Sequence, residues 1–153
     1  MDINFTEFYS DTYKNIQLQV TGGVGIGYTL IDNTQTTWSI SSGPAILYTH
    51  YVTVALESEL KGYAPAMEFS TRYEHELSDI TDITYDYKLT YTTRIAGRYK
   101  HHMLLTLENE LTSWLDLDIT AIWDYILEPE KNKDGLVPDQ NDFQVVLGLG
   151  VEF

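Results

Sequence analysis

The sequence predicts an all-β fold, an antiparallel up-and-down meander of seven to eight strands, and three observations carry that expectation. Apolar and polar residues alternate with period two over most of the chain, the spacing of a pleated strand with two unlike faces. The alternating stretches are much longer than the five or six residues usual in soluble sheets. Tyr, Trp and Thr are abundant, with 12 Tyr and 3 Trp, and such side chains suit a pleated surface.

The elements follow in order. Residues 3–9 (INFTEFY) supply part of an eighth strand. From Asn15 to Ile31 the even positions Ile16, Leu18, Val20, Val24, Ile26, Tyr28 and Leu30 face Asn, Gln, Thr and glycines. Turn chemistry at 31–35 (IDNTQ) is followed by a strand with Trp38, Ile40, Pro44, Ile46 and Tyr48 on one face. Pro44 cannot donate to a ladder, so a bulge or a locally broken pairing is expected there. Residues 49–61 read as a loop with a short helical turn. Four further strands place Tyr63, Met67, Phe69, Tyr73 and Leu77, then Ile83, Tyr85, Tyr87, Leu89 and Tyr91, on one face. Tyr99, Met103, Leu105, Leu107 and Leu111 follow, and then Leu115, Leu117, Ile119, Ala121, Trp123, Tyr125 and Leu127. The last strand alternates through Phe143, Val145, Leu147, Leu149, Val151 and Phe153.

Composition removes several classes. The 153 residues are one domain's worth. With 23 Asp+Glu against 9 Lys+Arg, nucleic acid is not an expected partner, because phosphate binding rests on cations. Without cysteine there is neither a disulfide framework nor a thiolate metal site, and no cofactor or metal is expected. GGVGIGY sits inside a strand with no helix after it, so it is not a phosphate loop. No apolar run is long enough for a membrane helix, and the first residues lack the basic and apolar regions of a signal peptide.

One face is almost free of charge in every strand, and two architectures share that pattern. A soluble sandwich or lipocalin-like barrel turns the apolar face inward and would bind a small apolar ligand or a protein partner. A transmembrane outer-membrane β-barrel turns it toward lipid. Strand length favours the membrane barrel, since a tilted membrane strand needs ~9–11 residues. Connection length does too: 31–35, 78–82 and 112–114 are short, whereas 49–62 and 128–141 are long, the asymmetry of bacterial outer-membrane barrels. Aromatics collect at both strand ends, with Tyr28, Trp38 and Trp114 beside the short turns and Tyr48, Tyr63, Tyr91, Tyr99 and Tyr125 toward the loops, as two membrane interfaces select.

The stretches GGVGIGYTLIDNTQTTWSISSGPAILY, FSTRYEHELSD and LGLGVEF, in that order and spacing, resemble the salt-induced outer membrane protein family of Gram-negative bacteria, a domain family of unknown function. The resemblance covers about residues 13 to 153. It implies an outer-membrane β-barrel, a signal peptide and further strands ahead of the glycine-rich one. This chain shows neither, so the expectation is a C-terminal portion of a longer barrel. The resemblance also implies recognition by the barrel-assembly machinery, with Phe153 as the terminal aromatic signal.

On this reading the lumen is acidic, lined by Glu68, Glu74, Glu76, Asp86, Glu108, Glu110, Asp116, Asp118, Asp124 and Glu152, with Arg72 and Lys88 as its cations. Crowded carboxylates recruit cations, so a narrow, cation-preferring, porin-like transport role is one expectation. A polar plug in which Arg72 and Lys88 bridge acids is the other, with Gly23, Gly25 and Gly27 making room for long side chains. Eight strands leave an interior that side chains fill. Lys61, Arg94, Arg98 and Lys100 fall at the loop end, where lipopolysaccharide phosphates would meet them. No enzyme is expected: Ser41, Ser42, His50, His101 and His102 form no recognised catalytic motif, and His101 and His102 point to opposite faces.

Overall fold

In the computed structural model the chain is described over residues 2–12, 16–52, 61–92, 98–129 and 135–151. Arg94, Glu152 and Phe153, together with Lys14, Lys131 and Lys133, lie outside the described residues. The described residues form eight strands and no helix: β1 (Asp2–Asp11), β2 (Ile16–Asp32), β3 (Thr36–Tyr51), β4 (Lys61–Ser78), β5 (Thr81–Thr92), β6 (Tyr99–Thr112), β7 (Leu115–Leu127) and β8 (Asn141–Val151). They make a single sheet in chain order, every neighbouring pair antiparallel. The sheet curls into a half-barrel, and among the described residues no ladder joins β8 to β1.

The eighth strand is longer than expected. Residues 2–11 pair with β2 through Phe5 opposite Gly23, Glu7 opposite Thr21 and Phe8 opposite Val20. At the other end of β3 the strand runs on to Tyr51, so the start of the expected loop is strand. Three tight connections define one end of the sheet. In the first, Asn33 Oδ1 accepts from the N–H groups of Gln35 (3.0 Å) and Thr36 (2.8 Å), an Asx turn. The others are Asp79–Ile80 and Ser113–Trp114. Beside each turn the register slips around one leucine, Leu30, Leu77 or Leu111, and all three are exposed. The opposite end carries the longer connections and is the loop end.

Side chains that meet across the curl define the inside. Glu7 on β1 bonds Lys88 on β5, and Gln19 on β2 bonds Lys100 on β6. The inner face is therefore the polar face. Burial follows suit: Gln19, Thr21, Thr49, Glu68, Thr90 and Thr92 are buried, while Ile26, Tyr63 and Leu147 are exposed at 73, 74 and 70%.

Two expectations need correction. Ile16 does not continue the outer apolar row; the register slips between Ile16 and Leu18 and turns it inward, where it packs with Tyr51, Ile126 and Tyr9. Gly23 and Gly25 of β2 do not make room for charged side chains, whereas Gly27 lines the cavity that holds Arg72 and Lys88. A Cβ on Gly23 would meet the Phe5 ring at 2.5 Å and the Pro44 carbonyl at 2.7 Å, and one on Gly25 would meet the Ser42 carbonyl at 2.8 Å. Those spaces hold Phe5 and the β3 backbone. Around Pro44 the β2–β3 partners lapse between Gly23↔Ala45 and Ile26↔Ser42 without a register change. It is a broken pairing, not a bulge, as a missing N–H requires.

Candidate functional site

Among the described residues, charged side chains from distant strands converge in the lumen, which can be followed from the loop end inward. Near the loops it is stoppered by Ile16, Tyr51 and Ile126, and by Leu47 packed with Ala64. The apolar side chains there come from polar-face positions. Below them Gln19 Nε2 donates to Thr49 Oγ1 at 2.8 Å and Gln19 Oε1 accepts from Lys100. A pocket of about 70 Å³ remains, touching Tyr9, Thr21, Lys100 and Asp124. Lys88 Nζ to Glu7 Oε2, at 2.9 Å, crosses the lumen beneath it.

Below that bridge the lumen widens to a cavity of about 540 Å³, walled by hydroxyls such as Thr37, Ser39, Ser41 and Ser70 and by Arg72 and Asp86. Its charges are engaged: Arg72 donates to Glu74 at 2.6 Å and Asp86 at 3.1 Å. The cavity leads to an open mouth of about 390 Å³ at the short-turn end, lined by Arg72, Glu74, Glu76, Asp82 and Glu108. The ladder sets carboxylates side by side there, Glu76 opposite Asp82, Asp82 opposite Glu108, and Glu108 opposite Asp118, with Glu110 opposite Asp116 one step nearer the turn. Like charges directly opposite repel, so this row concentrates negative charge at the mouth. Gly148 and Gly150 on β8 are where the Asp118 and Asp116 carboxylates lie, each 3.4 Å from the place a Cβ would take.

The expected lumen acids Glu68, Glu74, Glu76, Asp86, Glu108, Glu110, Asp116, Asp118 and Asp124 all occupy inner-face positions, with Arg72 and Lys88 among them. Lys100 is a correction. It was expected at the loop end facing lipopolysaccharide, yet it points into the lumen toward Gln19. Lys61 and Arg98 remain exposed at the loop end. Glu7, Gln19, Asp82 and His102 are lumen groups the sequence reading missed. For Gln19, Asp82 and His102 the alternation was the usable signal, since each falls on the polar parity of its strand; Glu7 shares its parity with Phe5 and Tyr9 and carried no such mark.

His101 and His102 do face opposite ways. His102 Nδ1 lies 2.7 Å from Asp124 Oδ1 inside, and His101 Nδ1 lies 2.7 Å from the Tyr87 hydroxyl on the outer face. The His102–Asp124 pair has the form of a base and its orienter. Among the described residues, however, no serine is bonded to that histidine; Ser41 and Ser70 bond each other at 2.6 Å and Ser42 bonds the Glu68 carbonyl. No group of three or more metal-ligating side chains occurs among the described residues.

One lumen carboxylate stands apart. Glu68 is 7% exposed and its Oε2 has no hydrogen-bond partner. Burying an unpaired acceptor costs on the order of 1–3 kcal/mol, more when it is charged. Glu68→Gln is expected to raise stability by about 1 kcal/mol in urea titration of the folded protein. A loss of stability would mean that the carboxylate's charge is balanced by Lys88 and is useful to the fold.

The outer face is ordered as well. Trp38 pairs with Tyr73 and Tyr48 with Tyr63, so two neighbouring strands each carry aromatics ten residues apart. At ~3.3 Å per residue and a ~45° tilt that is about 23 Å of height, close to the ~25 Å apolar band of outer-membrane barrels. Pro44, Ile46, Met67 and Phe69 fill the interval on the exposed side. Tyr91 and Tyr99 (5.1 Å between rings), His101 and Tyr125 (5.6 Å), and Trp123 and Tyr125 (6.2 Å) continue the loop-side row.

Fold and site together define a class: a curled antiparallel sheet with a polar, cross-bridged interior and an apolar exterior. The chain belongs to a family of proteins of unknown function, DUF481, whose model matches residues 4–153. No curated protein matches it.

Proposed function

We propose that this protein is a β-barrel of the bacterial outer membrane, non-enzymatic, structural in role and plugged in its resting state, with a narrow cation-preferring path through its lumen. The inverted burial carries the reading: polar side chains are sequestered inside while Ile26, Tyr63 and Leu147 stand mostly exposed. Lipid is the solvent in which that arrangement is favourable. The two aromatic rows supply interface anchors, and the carboxylate row at the short-turn mouth supplies cation preference. The Lys88–Glu7 bridge and the apolar stopper supply the plug. The resemblance to the salt-induced outer membrane protein family belongs to the same proposal, as does contact of the exposed Lys61 and Arg98 with lipopolysaccharide phosphates. Strand β8, with Phe143, Val145, Leu147, Leu149 and Val151 outward, is the strand proposed to meet the assembly machinery.

Detergent dependence tests the proposal directly. Refolded into phosphatidylcholine vesicles, the protein is expected to resist alkaline carbonate extraction and to migrate differently on gels when unheated. In planar bilayers the wild type is expected to conduct little, and Lys88→Met, which removes the bridge, is expected to conduct more and with cation selectivity. A protein that stays monomeric in detergent-free buffer and binds no fluorescent probe of apolar surface would sink the membrane reading and restore the soluble barrel.

A further inference from the structure

In lipid, an unpaired sheet edge has no water to satisfy its backbone groups, so the reading above leaves β1 and β8 in need of partners. We propose that they partner each other, in antiparallel register with Glu7 beside Gly148 and Phe8 beside Leu147, sealing the eight strands into a closed cylinder. The inference rests on the membrane reading for its driving force, but its register comes from the ladders and the contacts across the lumen.

Two polar contacts across the lumen join strands four apart, β1 to β5 and β2 to β6. In a cylinder of eight strands those are the diametrically opposed pairs. Both contacts also give the same stagger. Following the ladders, Glu7 shares its level with Thr21, Leu47 and Ala64, yet Lys88, which it touches, pairs with Ser70. Ala64 to Ser70 is a shift of six residues along β4. Independently, Gln19 shares its level with Thr49 and Gly62, whereas Lys100 shares its level with Thr90 and Glu68. Gly62 to Glu68 is again six.

Stagger accumulates steadily around a barrel, so half a turn of six implies about twelve for the whole turn. The level of Lys88 continues through His102 and Asp124 to Asp142 on β8. Six residues beyond Asp142 is Gly148, which therefore comes to lie beside Glu7, and Leu147 beside Phe8. The faces agree, with Phe8 and Leu147 both outward and exposed at 72 and 70%. A glycine beside Glu7 also leaves the carboxylate free to reach Lys88.

The absence of cysteine makes crosslinking a clean test. The double variant Phe8→Cys with Leu147→Cys is oxidised with copper phenanthroline in phosphatidylcholine vesicles and in detergent-free buffer, beside Phe8→Cys with Val151→Cys. The second pair is offset by four residues, ~13 Å along the strand, beyond disulfide reach. The expected result is an intrachain disulfide in the monomer at least ~10-fold more abundant for the first pair. Dimers as the main product, or no preference for the first pair in protein that resists carbonate extraction, would overturn the seam. Intrachain crosslinking in buffer by protein that never enters vesicles would keep the seam and reject the membrane reading.

Discussion

Met67→Arg is expected to weaken folding into phosphatidylcholine vesicles by about 2–4 kcal/mol, the cost of an arginine facing lipid near the bilayer midplane. Met67 lies on the outer face of β4, near the midpoint between Tyr63 and Tyr73, with Pro44 and Tyr91 as its ladder partners. Its side chain is 50% exposed. In water a half-exposed methionine on a sheet surface tolerates arginine within about 0.5 kcal/mol, because surface substitutions away from caps, cavities and networks change little. The two solvents thus predict effects that differ several-fold at one position. The readout is the urea midpoint of vesicle-bound protein, followed by the mobility of unheated samples, with Met67→Leu as the reference for side-chain shape. An arginine variant indistinguishable from the leucine variant would place this face in water.

Period two made the two faces of the middle strands legible, because the pleat alone decides which side each residue takes. That Arg72, Asp86, Lys88, Glu108 and Asp118 share one face could be read from parity without any structure, while which face turns inward could not. Ile16 could not, because a register slip beside Leu18 leaves no mark in the alternation. Lys100 was legible and misassigned: it has the inner parity of β6, but its closeness to the loop end suggested a surface role. The bridge from Lys88 to Glu7 was beyond any sequence pattern. It joins residues 81 apart whose meeting depends on curl and stagger accumulated over four strands. The isolation of Glu68 depends on the same packing and was equally hidden.

Gly43→Ala is expected to cost about 1–3 kcal/mol or more, the range for forcing extra volume into a packed region, while Gly22→Ala is expected to be neutral or to stabilise by up to ~1 kcal/mol through the unfolded chain. A Cβ on Gly43 would overlap the Val24 carbonyl oxygen and the Gly25 Cα. Both are backbone atoms, so no side-chain rotation relieves the clash, and β2 would have to move away from β3. A Cβ on Gly22 has no atom within 4 Å. The difference originates at Pro44, whose missing N–H breaks the ladder between Gly23↔Ala45 and Ile26↔Ser42 where the two backbones come close together. Denaturant midpoints of the two variants decide the matter, and equal midpoints would refute the close approach. Gly43 also pairs with Glu68 on its other side. Pushing β3 outward would loosen the packing around that unpartnered carboxylate, so Gly43→Ala combined with Glu68→Gln is expected to give a stability change that differs from the sum of the two.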